Sequence, residues 1–111
     1  MEKIIDCETE NIFIDSSKSL NAAICLMYEL NTSKILFVHS NLHENFFKLR
    51  TGLAGEIIQM LKNYQIRAAF VLSPEKLKAG KFGEMIAEES KGEQIKAFVN
   101  RQEAEEWLCR D

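Results

Sequence analysis

The sequence predicts one α/β domain spanning residues 1–111, with a mixed, mostly parallel sheet flanked by helices in the order β-β-α-β-α-β-α-β-α. Three observations predict it. From Lys34 onward, apolar runs of strand length alternate with stretches of helical period. Most of the helical stretches open at a residue whose side chain can cap a helix. Strand-helix alternation in turn implies right-handed crossovers, which place helices over the sheet in two layers. A chain of 111 residues is long enough for one core and short for two.

Lys3–Cys7 and Asn11–Asp15 are β-prone runs separated by Glu8-Thr9-Glu10, a spacing that predicts an antiparallel hairpin. Asp15-Ser16-Ser17 offers capping oxygens to a first helix, whose stripe is Leu20, Ala23, Ile24, Met27 and Leu30. Cys25 falls opposite that stripe at about 100° per residue and is expected to be exposed. Lys34–His39 is a nearly continuous apolar run, the pattern of a strand covered on both faces. Asn41 and Glu44 have the form of a capping box, predicting a short helical turn through Phe46, Phe47 and Leu49. Leu53, Ile57, Met60, Leu61 and Tyr64 mark a second long helix, followed by a buried strand over Arg67–Leu72. Ser73-Pro74 predicts a helix start, firm over Phe82–Ser90, with Gly92 as a left-handed terminator. Gln94–Val99 is the last strand, and Asn100 with Glu103 caps a final helix lined by Ala104, Trp107 and Leu108. Ile35, Phe37, Ala69, Val71, Ile95 and Phe98 are the expected central core.

Composition narrows the partners. At 46% hydrophobic and 28% charged residues with a net charge of -3, the chain lacks the basic footprint of a nucleic-acid binder. Met1–Asp6 carries no signal-peptide pattern, and no run reaches the roughly 18 apolar residues of a membrane span. A cytoplasmic location without membrane contact is the expectation. Cys7, Cys25 and Cys109 form an odd set without a C-x-x-C pair, which predicts free thiols in a reducing compartment.

Thr51-Gly52-Leu53-Ala54-Gly55 at a helix start, then Lys62-Asn63-Tyr64 and F-V-L-S-P over Phe70–Pro74, resembles the STAS family. That family comprises anti-sigma factor antagonists and the cytoplasmic tails of sulfate transporters. The resemblance implies a Ser-Gly-Leu-Gly-like start to the second long helix, where a partner kinase phosphorylates the Ser or Thr of the antagonists; Thr51 occupies that position. F-F-x-L-R-T-G-L-A-G-E-I over Phe46–Ile57 and E-W-L at Glu106–Leu108 are similar to an uncharacterised bacterial family of short STAS-like domains. Two features depart from the STAS pattern: Arg50 precedes Thr51, and the insert Asn41–Leu49 fills the approach.

In open α/β sheets the functional crevice lies beyond the carboxyl ends of the strands. Ser40 and Asn41, Ser73 and Pro74, and Asn100 all follow strands, and with Thr51-Gly52 they can share one rim, although helix capping explains each of them equally. Phe46 and Phe47 are adjacent, so one turn cannot bury both against the same neighbour. With Leu42 and Leu49 they form a candidate interface patch for a protein partner, a homodimer included. His39, His43 and Glu44 are metal-ligating types, but a strand end and a turn start do not aim them at one point, so no metal site is predicted. The glycines of 51–55 fit neither the P-loop nor the dinucleotide fingerprint, no G-x-S-x-G is present, and no cofactor is expected. Glu88-Glu89, Glu103, Glu105 and Glu106 read as solvated helix faces.

These readings converge on a non-enzymatic regulatory or protein-interaction domain, phospho-switched at Thr51. The alternative is a small-molecule or anion sensor in which the backbone N–H groups of Gly52, Leu53 and Ala54 hold an anion beside Arg50. A third reading, an enzyme acting through Thr51 or Cys25, lacks an adjacent base.

Overall fold

The apolar runs become strands β1 (Ile4–Asp6), β2 (Lys34–Val38), β3 (Arg67–Val71) and β4 (Ile95–Phe98) in a computed structural model that describes residues 3–78 and 80–110. All neighbours pair parallel, in the spatial order β1-β2-β3-β4. The helices are α1 (Ser17–Glu29), α2 (Leu53–Asn63), α3 (Pro74–Leu77), α4 (Gly80–Glu89) and α5 (Arg101–Cys109). Three 3-10 turns, His39–Asn41, Glu44–Phe47 and Leu49–Thr51, fill the approach to α2. No helix among the described residues is long and apolar enough to cross a membrane.

Spatial order equal to chain order has a strong consequence. Right-handed crossovers that all step the same way deposit α1, α2 and α4 on one face of the sheet. There Ile5, Ile35, Ala68 and Ile95 form one row of the main core, while Phe37 and Phe70 pair across β2 and β3 with rings stacked at 4.8 Å. The opposite face is covered by α5, which packs Ala104, Trp107 and Leu108 on Leu36 and Ala69. One nine-residue helix covers only the centre of that face. Val71 and Phe98 are therefore half-buried rather than sealed, whereas Ile35, Phe37, Ala69 and Ile95 are buried as expected.

α5 is held at its start by Arg101, whose guanidinium pairs with Asp6 and, at 2.8 Å, with Glu8. At its end Arg67 lies 4.1 Å over the Trp107 ring and donates to the Arg110 carbonyl. On the main face α4 meets α3 closely because Gly83 has no side chain; a Cβ there would sit 2.8 Å from the Leu77 carbonyl oxygen. α1 starts with the Ser19 hydroxyl accepting from the N–H groups of Asp15 and Ser16.

Several local expectations are corrected. The antiparallel hairpin is absent and the sheet is wholly parallel, so the order is β-α-β-α-β-α-α-β-α. The cause is Asp6: its Oδ1 accepts from Glu8 N–H at 3.0 Å, Asn11 turns left-handed at φ 57°, and the chain leaves the sheet. Within 11–15 only Ile14 pairs, through a single parallel bridge to Leu42. Asn41 does not cap the following turn; it is buried and its Oδ1 accepts from Val38 N–H, while His43 Nδ1 caps by accepting from Asn45 N–H. Gly92 is not left-handed, since positive φ among the glycines occurs at Gly52 and Gly80. Leu30 and Tyr64, expected on inner stripes, lie past the last turns of α1 and α2 and are exposed, and Met60 is only half-buried.

Candidate functional site

The chain leaving β3 turns toward the α4 face, and the chain leaving β4 turns toward α5, the divergence that opens a crevice at strand carboxyl ends. A cavity of about 390 Å³ occupies that place. Its apolar lining comes from Val38, Val71, Leu72, Pro74 and Val99, the last 55% exposed. Its polar lining is the pair Ser40 and Ser73, with His39 on one side and Glu8 on another. Ser73 also caps α3, its hydroxyl accepting from Lys76 N–H at 3.4 Å.

The insert stands behind one wall, which His39 and Ser40 form. His39, which lines the cavity, stacks on Phe47 with ring centroids 5.0 Å apart, and Lys76 Nζ stands 4.7 Å from the centroid of the Phe47 ring. Phe46 is fully buried against Phe70 and Phe82, and its ring meets that of Phe47 edge-on at 5.6 Å. Contrary to expectation, adjacency does not part the two rings, because both meet Phe82 edge-on, at 5.8 and 5.1 Å; Phe46 is core, and half-buried Phe47 is the one that reaches His39. The insert is tied to the body by Ile14 and Leu42, where Ile14 N–H donates to the Asn41 carbonyl at 2.7 Å and His43 N–H donates to the Ile14 carbonyl at 2.9 Å.

Its far end is tied by Thr51. The exposed Thr51 hydroxyl lies 2.7 Å from the Asn45 carbonyl oxygen and 2.8 Å from that of Lys48, so its one proton serves this pair. The same oxygen accepts from Leu53 N–H at 3.3 Å, satisfying one of the unpaired amides of the first turn of α2. Gly52 makes the corner at φ 80°, a conformation that favours glycine.

The residues singled out from sequence therefore separate into groups. Ser40 and Ser73 meet in the crevice, and Phe47 braces it through His39. Asn41 and Phe46 are buried and serve the insert's own structure. Arg50, Thr51, Gly52 and Leu53 do not line the crevice; Thr51 is bonded to the Asn45 and Lys48 carbonyls of the insert behind it. Val99 and Glu8 were not legible as site residues, because each reaches the crevice only through the sheet's spatial order. Among the described residues no three His, Cys, Asp or Glu side chains converge as metal ligands would. Cys7 is no nucleophile candidate: burial, and secondarily the charge of Glu10, pushes its thiol up to about 12.

Over residues 1–108 the chain matches the model of a family described as a domain of unknown function, DUF4180, and it belongs to that family. No curated protein matches it significantly, and no solved structure does.

Proposed function

We propose that this member of an uncharacterised family is a non-enzymatic regulatory domain that seats a protein partner in the crevice at the carboxyl ends of its strands, with Thr51 setting the shape of one wall. One observation carries the reading: the Thr51 hydroxyl holds the Asn45 and Lys48 carbonyls, and the insert between them presents Phe47 to His39. Phosphorylation, the event that the STAS-like motif suggests at Thr51, removes the donated proton and sets a charge of about -1.5 to -2 against two carbonyl oxygens. The insert then has to resettle, and the crevice wall moves with it. Arg50 and the amino end of α2 supply the countercharge that keeps the rest of the fold intact.

The anion-sensing alternative is less well served by the local hydrogen bonds. Gly52 N–H already donates to the Leu49 carbonyl at 3.0 Å and Leu53 N–H to Thr51 Oγ1, so two of the three amides such a site needs are engaged.

Affinity capture from a lysate of the source organism tests the proposal. Wild-type protein is expected to retain a partner that Val99→Asp, altered at an exposed crevice residue, retains about tenfold less well, the effect of losing about 1.4 kcal/mol at an interface hot spot. Thr51→Glu should change retention of the same protein while unfolding at nearly the wild-type temperature. Equal retention by all three proteins would contradict the reading.

A further inference from the structure

We propose that a second cavity, at the opposite end of the sheet from the crevice, is a binding site for a small, uncharged, flat ring compound. The inference is independent of the partner reading above. The cavity has a volume of about 400 Å³ and lies between the carboxyl ends of α1 and α2, beneath the starts of β2 and β3. Ile24, Met27 and Ile66 give it an apolar floor, and Tyr28, Tyr64 and Asn31 stand around it.

Two features distinguish it from an ordinary surface dent. Tyr28 is 88% exposed and Tyr64 58% exposed, so two of the large aromatic side chains left in solvent border one concavity. Neither ring makes an aromatic contact with another ring among the described residues, so a planar guest has no stacked neighbour to displace. Tyrosine in such a place offers an apolar body for stacking and a hydroxyl for orientation at low conformational cost. The volume falls within the range of about 300–1,000 Å³ usual for small-molecule sites, which pair apolar walls with a few polar groups.

The lining also selects against charge. Among the described residues it contains no Lys, Arg, His, Asp or Glu, so an ionised guest would be desolvated without a partner from them. The two phenols and the Asn31 carboxamide, none of which hydrogen-bonds within the described residues, can donate to or accept from a neutral heterocycle or amide.

Nuclear magnetic resonance titration of the full isotope-labelled chain decides the matter, with indole and benzamide as neutral probes and benzoate and benzylamine as charged counterparts. At least one neutral probe should give saturable shifts confined to residues 24–33 and 64–66. Tyr28→Ala and Tyr64→Ala, both at exposed positions and expected to fold, should each weaken that binding about tenfold, and the charged probes should bind about tenfold more weakly. Absence of saturable shifts with both neutral probes would overturn the proposal, as would unchanged affinity in both variants or equal binding of charged and neutral rings. A wild-type dimer in sedimentation that the double variant lacks would also overturn it, showing a second copy of the chain over this surface.

Discussion

Replacing Phe70 with alanine is expected to lower the unfolding free energy by about 3–5 kcal/mol, the usual range for emptying a buried phenylalanine site. Phe70 is fully buried on β3, stacked on Phe37 at 4.8 Å and on Phe46 at 5.4 Å. Its loss opens a void between the central strands and the insert, and the surrounding rings belong to different elements that cannot all shift into it. Because a domain of this size has a total stability of about 5–15 kcal/mol, the variant should be marginal. Urea denaturation measures the effect, and a loss below about 1 kcal/mol would show that Phe70 is not the centre of the core.

Trp107 to alanine should cost a similar amount, about 3–5 kcal/mol by the same rule, but with a different signature. Its ring fills the small core between α5 and the sheet, 5.7 Å from Phe98 and beneath the Arg67 guanidinium. Among the described residues no other helix covers that face, so the loss falls on α5 alone. Amides of α5 should lose hydrogen-exchange protection ahead of those in β2 and β3, as a locally unfolding unit does. The ion pairs of Arg101 cannot compensate, because partly exposed pairs contribute about 0–1 kcal/mol. Uniform loss of protection across the domain would mean that α5 is not a separable layer.

Legibility from the sequence followed the range of the forces involved. β2, β3 and β4 were readable because their apolar runs carry the burial signal residue by residue. The hairpin was not, since whether Asn11–Asp15 pairs with β1 depends on the Asp6 side chain capturing the Glu8 amide, a local bond that β-propensity does not register. Asn41 shows the same difficulty in another form: Asn-x-x-Glu reads as a capping box, yet the side chain turns back to Val38. Adjacency predicted that Phe46 and Phe47 cannot share a neighbour, yet both rings pack edge-on against Phe82, because the 3-10 turn that carries them lies over that one large side chain. Ser40 and Ser73 were found because polar residues following strands mark the carboxyl edge under any spatial order. The one-sided placement of α1, α2 and α4, the thin cover of α5 and the second cavity all depend on strands lying in chain order, which no local pattern encodes.

Hydrogen exchange in Thr51→Val, which keeps the shape of threonine and removes its hydroxyl, tests most directly whether Thr51 is the tie that holds the insert behind the crevice wall. Exchange should be about tenfold faster at the amides of Phe46, Lys48 and Thr51, which close the insert's own turns, corresponding to about 1.4 kcal/mol for the lost hydroxyl bonds. The amides of β2 and β3 should keep the wild-type rates. Wild-type exchange throughout residues 44–51 would contradict that role and leave Thr51 as a helix cap alone.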